Sequence, residues 1–165
     1  MDSDGAHNTQ VTAANSKDYD PVWSPDGTQI AFVRGSSDDQ AIWIMNVDGS
    51  IAHQLAPVKG LSPDLTWSPD GQAVAFISAL SGYNELYIIN ADGSDLHQAA
   101  PAQAADLDFA WSPDGKQLLV ESNLTGGKLS VLMLIDVATK TRTTIVDDAY
   151  CDGTPAWMPN LGTLK

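Results

Sequence analysis

Six aspartates recur at fixed distances ahead of tryptophans, and the chemistry such spacing could build is a ring of carboxylates. Asp18, Asp106 and Asp152 stand five residues before Trp23, Trp111 and Trp157, and Ser62 holds that place before Trp67. Asp20, Asp64 and Asp108 stand three residues before Trp23, Trp67 and Trp111, and Thr154 holds that place before Trp157. If successive copies surround one opening, their charge focuses the field there and attracts a cation or a basic segment of a partner. Mutual repulsion would then raise some of their pKa values. The local alternative is that each Asp caps its own turn by accepting backbone N–H bonds.

Other candidates carry less. His53 and His97 share one repeat position, five residues past the turn aspartates Asp48 and Asp92; His7 is the third histidine. A metal or pH-sensing ring is one reading. A solvated outer strand, copied with the repeat, is the other, because equivalent sites at a rim lie too far apart to share an ion. Calcium loops need acidic oxygens at alternate positions before a Gly. Asn90 and Asp92 could be two of them, but the first ligand position falls on Ile88, and on Ile44 in the earlier copy. No Gly-x-Ser-x-Gly elbow, His-Glu-x-x-His helix, paired Cys motif or Walker loop occurs. The sequence therefore implies no catalytic residue, metal or cofactor.

Composition narrows the classes. The 165 residues carry 8 Lys+Arg against 21 Asp+Glu, a net charge of −13. Nucleic acid is disfavoured as a partner, since phosphate binding needs clustered cations. Anionic membranes are disfavoured for the same reason, and no apolar run approaches the ~18 residues of a spanning helix. Met1-Asp2-Ser3-Asp4-Gly5 lacks the basic and apolar regions of a signal peptide. Cys151 is the only cysteine, so no intrachain disulfide forms; beside Asp152 it takes no assigned role. Nineteen of the 21 acids are Asp, with only Glu85 and Glu121 as Glu. Asp favours turns and caps, so the chain should be rich in turns and poor in helix.

The elements that position these residues follow from an internal repeat. Trp23-Ser24-Pro25-Asp26-Gly27 recurs as Trp67-Ser68-Pro69-Asp70-Gly71 and as Trp111-Ser112-Pro113-Asp114-Gly115, at spacings of 67 − 23 = 44 and 111 − 67 = 44. Trp157-Met158-Pro159-Asn160 is a decayed fourth copy. Residues 23–66 and 67–110 are identical at 18 of 44 aligned positions. A period of about 40–45 residues is that of a four-stranded propeller blade. Within each copy, the Pro-Asp-Gly turn leads into a strand: Gln29 to Arg34, Ala73 to Ser78, Gln117 to Ser122. A second run follows (Ala41–Met45, Leu86–Ile89, Val131–Ile135), apolar throughout, as in strands buried on both faces. Trp43 and Tyr87 share a core position in it. Turns at Asp48-Gly49 and Asp92-Gly93 then lead to weak outer strands at Gln54-Leu55 and Gln98-Ala99. The third copy ends in Asp136-Val137-Ala138-Thr139-Lys140-Thr141, which leaves its outer hairpin unsettled.

These residues resemble the TolB-type propeller repeat, marked by Asp-Pro-x-Trp-Ser-Pro-Asp-Gly. Asp20-Pro21-Val22-Trp23 matches in full, whereas Leu65 and Phe109 replace the Pro in the next two copies. The resemblance implies an all-β chain of four-stranded antiparallel blades. Trp23, Trp67, Trp111 and Trp157 would pack between blades, and Asp26, Gly27, Asp70, Gly71, Asp114 and Gly115 would form the turns. The chain reads as one propeller segment. Residues 1–22 hold an outer strand and entry, 23–66, 67–110 and 111–156 the three repeats, and 157–165 the start of a fourth.

Strand counting gives three complete blades, an outer strand over Asn8–Thr12 before them and an inner strand over Thr154–Trp157 after them. A closed propeller needs about 4–8 blades. The chain is thus expected to be part of a longer propeller, or to self-associate with a second copy into a ring. By the resemblance, the expected function is non-catalytic binding of a protein or peptide, and the acidic ring would favour a basic one. The parent proteins of such propellers are usually bacterial and often work in the periplasm or cell envelope. Two alternatives stand beside it. The segment could gate substrate for a serine peptidase of the prolyl-oligopeptidase or tricorn type, or bind a cation at the acidic ring.

Overall fold

Each repeat opens with a turn that its own side chains hold together. The Ser24 hydroxyl donates to Asp26 Oδ1 (2.6 Å) and accepts the Gln29 amide (2.9 Å), while Asp26 Oδ1 accepts the Thr28 amide (3.0 Å). Gly27 closes the turn at φ +72°, donating its N–H to the Ser24 carbonyl (2.9 Å). Only glycine adopts that conformation without steric cost. Ser68, Asp70 and Gly71 repeat these bonds, as do Ser112, Asp114 and Gly115. The motif is therefore a structural device that hands the chain from one strand to the next.

The computed structural model describes residues 9–36, 39–60, 64–101, 105–123, 130–146 and 155–157. Among the described residues, twelve strands form three antiparallel sheets whose strands lie side by side in chain order. Blade one comprises β1 (Asp18–Trp23), β2 (Gln29–Ser36), β3 (Asp39–Asn46) and β4 (His53–Val58). Blade two comprises β5 (Leu65–Trp67), β6 (Ala73–Ser78), β7 (Glu85–Asn90) and β8 (His97–Gln98). Blade three comprises β9 (Ala105–Trp111), β10 (Gln117–Asn123), β11 (Ser130–Asp136) and β12 (Thr141–Val146). Trp23, Trp67 and Trp111 each end an inner strand, so the sequence repeat is offset from the blade by one strand.

The blades stack face to face. Val33, Ile42 and Ile44 of blade one meet Val74, Phe76 and Ile89 of blade two in one core. Ile77, Leu86 and Ile88 of blade two meet Leu118, Val120 and Ile135 of blade three in another. Burying each such side chain contributes roughly 1.5–3 kcal/mol. Tyr87 joins the first core, its ring stacked on Phe76 with centroids 5.7 Å apart. The expectation of strands buried on both faces holds where blades flank both sides. In β7, Glu85 to Ile89 are all buried, whereas β11 alternates between buried and half-buried. No described blade covers the far side of blade three, so its outward residues stay half open. Trp43, expected in the core, is half-buried for the same reason on the open side of blade one.

The two flanking strands are a correction. Thr9–Thr12 and Pro155–Trp157 join no ladder; Asn8 and Thr154 lie outside the described residues. Yet both segments keep their repeat positions. A Cβ on Gly49 would meet the Val11 carbonyl at 2.5 Å, and one on Gly93 would meet Leu55, the repeat equivalent of Val11, at 3.8 Å. Trp157 Nε1 donates to the Ala110 carbonyl (3.0 Å), as Trp67 Nε1 donates to the Val22 carbonyl (3.2 Å). Each segment sits where a neighbouring blade would place it, without the strands that would pair with it.

Trp23 also departs from the expected interblade packing. It is 60% exposed, whereas Trp67 is 5% exposed, because among the described residues no blade precedes it. Trp111 is half-buried, and its Nε1 finds no partner. The outer hairpin of blade three does form. Asp136 Oδ1 accepts the Thr139 amide and hydroxyl (both 2.8 Å), and Lys140 takes φ +57° where the other blades use glycine.

Candidate functional site

The innermost strands β1, β5 and β9 carry the candidate aspartates, and irregularities aim them. The β1–β2 register shifts between Tyr19 and Val22, and Asp20 sits in that bulge at φ +50°. The β9–β10 register shifts where Glu121 opposes Asp108 and Ser122 opposes Asp106, so Leu107 is the extra residue. Bulges re-aim side chains in this way. Asp64 lies one residue ahead of β5.

The two sets of aspartates have different fates. Asp18 and Asp106 do not join a ring; each is taken by an arginine. Arg34 Nε and Nη2 donate to the two Asp18 oxygens at 2.7 and 3.0 Å, and this bonding is the largest cause holding the Asp18 pKa below its usual range. Arg142 Nη1 and Nη2 donate to the Asp106 oxygens at 2.7 and 2.9 Å, with the side chains 1% and 0% exposed. Asp106 also accepts the Ser122 hydroxyl (2.7 Å) and the Leu86 amide of blade two (2.9 Å). It is a buried link between blades, with no access to an opening. Asp152, the last member of that set, lies outside the described residues.

Asp20, Asp64 and Asp108 form the other set. Asp20 and Asp64 are exposed and Asp108 is half-buried. The Asp64 pKa is raised, first by desolvation, then by the charge of Asp108 and that of Asp20. Asp64 reaches solvent, yet the protein crowding it removes enough water to disfavour its anion. The charges of its repeat equivalents on the two flanking blades thus reach Asp64. They do not converge tightly enough to chelate: among the described residues, no group of three or more His, Cys, Asp or Glu could hold a metal ion.

The remaining candidates find local partners. His53 and His97 open β4 and β8, each with Nδ1 on the carbonyl two residues back, Ile51 at 3.2 Å and Asp95 at 2.7 Å. The Asp48 and Asp92 carboxylates accept amides of Ser50 (2.8 Å) and Ser94 (2.9 Å) within their own turns. His7 and Cys151 lie outside the described residues. Sequence reasoning missed Arg34 and Arg142. Arg34 opposes Asp18 across a ladder whose register the sequence does not print, and Arg142 stands 36 residues from Asp106.

Comparison with known proteins places the fold. Residues 1–129 match the TolB β-propeller domain family. The Tol-Pal system protein TolB of Hahella chejuensis is 34% identical over 61 residues, which is 37% of this chain and 14% of that protein. The crystal structure of TolB from Acinetobacter baumannii superposes with a TM-score of 0.70 at 20% identity, covering 85% of this chain and 35% of that one. The β-propeller domain of the Trilobed protease from Pyrococcus furiosus superposes with a TM-score of 0.60 at 19% identity, covering 83% of this chain and 43% of that one. The chain spans less than half the length of each of these proteins, and the two structural likenesses, at 20% and 19% identity, report the fold alone. Among the described residues, no helix is long and apolar enough to cross a membrane.

Proposed function

The chain belongs to the TolB β-propeller family, and from that premise we propose that it is a non-catalytic protein- or peptide-binding propeller segment. Its binding end is the mouth bordered by Asp20, Asp64 and Asp108, and its ligand is a basic, extended segment of a partner protein. The observation that carries this is the raised pKa of Asp64, caused in part by its two repeat equivalents. Clustered like charge stores repulsion that an incoming Lys or Arg relieves. The spread of the three carboxylates favours a peptide carrying several cations over a single chelated ion. Action in the periplasm or cell envelope goes with the same reading, through the Tol-Pal system named for the curated relatives. A gating role beside a peptidase rests on fold likeness alone and has no feature of this site behind it.

The test is titration of an Arg/Lys-rich peptide and its Glu-substituted counterpart into the chain, followed by NMR. Shifts should centre on Asp20, Asp64 and Asp108, weaken with salt and fall about tenfold in affinity in Asp64→Asn/Asp108→Asn. Equal binding of both peptides, or affinity unchanged by the double variant, overturns the reading.

A further inference from the structure

A cleft opens between blades two and three, beside their Ser-Pro-Asp-Gly turns, and encloses about 340 Å³. That is the small end of the range for ligand pockets, about 300–1,000 Å³. Asp64 precedes β5 and Ser68 follows it, so the cleft and the acidic mouth lie at opposite ends of that strand.

Trp111 lines the cleft, and its indole breaks the repeat. Trp67 Nε1 donates to the Val22 carbonyl (3.2 Å) and Trp157 Nε1 to the Ala110 carbonyl (3.0 Å). The equivalent acceptor for Trp111 is the Thr66 carbonyl, yet Trp111 Nε1 is buried with no partner among the described residues. The blades have not parted there. A Cβ on Gly115 would meet Pro69 at 3.5 Å, and one on Gly71 would meet Pro25 at 3.7 Å, so the two turn-to-turn contacts match. A buried donor without an acceptor is costly, and a ligand acceptor brought into the cleft would relieve it.

The two walls of the cleft differ in polarity. Blade three supplies donors, Trp111 Nε1 and the exposed Lys140 ammonium. Lys140 holds φ +57°, which glycine adopts at lower cost, so its side chain is kept at the cleft against the backbone's preference. Blade two supplies acceptors. Asp70 Oδ1 accepts the Ser68 hydroxyl (2.6 Å) and the Gln72 amide (3.0 Å); these bonds hold its pKa below the usual range and leave Oδ2 outside them. Asp95 is exposed, and its carbonyl lies 2.7 Å from His97 Nδ1. A carbonyl only accepts, so Nδ1 carries the hydrogen and Nε2 of the neutral ring is an acceptor. Ile88 and Val137 add an apolar lining.

We propose that this cleft binds a free α-amino acid with an aliphatic side chain. The ligand carboxylate meets Trp111 Nε1 and Lys140, its ammonium meets Asp70 and Asp95, and its side chain packs on Ile88 and Val137. Opposite charges on facing walls select a ligand that carries both; a neutral sugar or a lone cation would leave one wall unmatched. This inference goes beyond the mouth reading and is tested without any peptide.

The experiment is NMR titration of the full chain with L-leucine, read at the tryptophan indole N–H signals, with Trp111 assigned by its loss in Trp111→Phe. The Trp111 signal should shift while that of exposed Trp23 stays in place. N-acetylleucine lacks the ammonium and leucinamide lacks the carboxylate, so each should bind about tenfold more weakly. Lys140→Gly and Asp95→Asn suit the left-handed backbone at those sites, φ +57° and +55°, so both should keep the fold by circular dichroism and weaken leucine binding about tenfold. A Trp111 signal unmoved by leucine overturns the proposal, as does equal binding of leucinamide, indifference to Lys140→Gly, or a shift produced by glucose instead. Lys140→Gly leaves Asp20, Asp64 and Asp108 intact, so failure of leucine binding and failure of peptide binding at the mouth are separate results.

Discussion

Replacing Asp106 with alanine should cost this chain far more stability than replacing Asp18, although the two occupy one repeat position. Asp106 accepts four hydrogen bonds: two from Arg142 (2.7 and 2.9 Å), one from Ser122 (2.7 Å) and one from the Leu86 amide (2.9 Å). Removing the carboxylate strands a guanidinium whose side chain is 1% exposed, at a cost of about 3–5 kcal/mol. It also orphans a buried amide at the blade interface, which adds roughly 1–3 kcal/mol. A loss near 5 kcal/mol is comparable with the whole stability of a marginal domain. Asp18 and Arg34 are 13% and 25% exposed in their side chains, so the stranded guanidinium keeps some contact with water and Asp18→Ala should cost less, about 1–3 kcal/mol. The assay is urea unfolding followed by tryptophan fluorescence and far-ultraviolet circular dichroism, with Asp106→Asn as a milder variant that keeps the side-chain shape. An Asp106→Ala protein as stable as Asp18→Ala would refute the assignment of Asp106 to the blade interface.

Two further perturbations probe the repeat. Ile51 is a β-branched residue at φ +53°, and its equivalent Asp95 sits at φ +55°. Because Ile51 is exposed and Asn tolerates the left-handed region, Ile51→Asn should stabilise the chain by about 1 kcal/mol in thermal unfolding. Trp67→Phe removes the indole bond to the Val22 carbonyl and should cost about 1 kcal/mol. Trp23→Phe at an exposed site should change stability by less than about 0.5 kcal/mol. Equal effects of the two substitutions would contradict the difference in burial between Trp67 and Trp23.

The three blades were legible because a tight turn leaves a local signature. Ser24, Asp26 and Gly27 bond within six residues, so their types suffice to identify the turn and the spacing of its copies sets the blade. The third outer hairpin was less legible because Asp136, Thr139 and Lys140 do the same work with different chemistry. The aspartates divide along the same line. Nothing near Asp106 in sequence says that Arg142 will neutralise it, since that pairing depends on how four strands twist across a blade. The set at Asp20, Asp64 and Asp108 was readable as a candidate because the repeat puts its members at equivalent positions three residues before each Trp. The flanking segments read as strands because their residues fit the repeat, but a strand needs a partner, and the ladder fails where no partner is described.

The acidic mouth is the central claim, and NMR titration of the Asp64 carboxyl tests it most directly. Asp64 should titrate above the ordinary aspartate range, and its midpoint should fall in Asp20→Asn and in Asp108→Asn. Because the folded-state pKa is raised, Asp64 is less destabilising at low pH than at neutral pH. Asp64→Asn should therefore raise the melting temperature at pH 7, with the gain vanishing once pH falls below the unfolded-state pKa. An Asp64 that titrates in the ordinary range and ignores both neighbouring substitutions would contradict the claim.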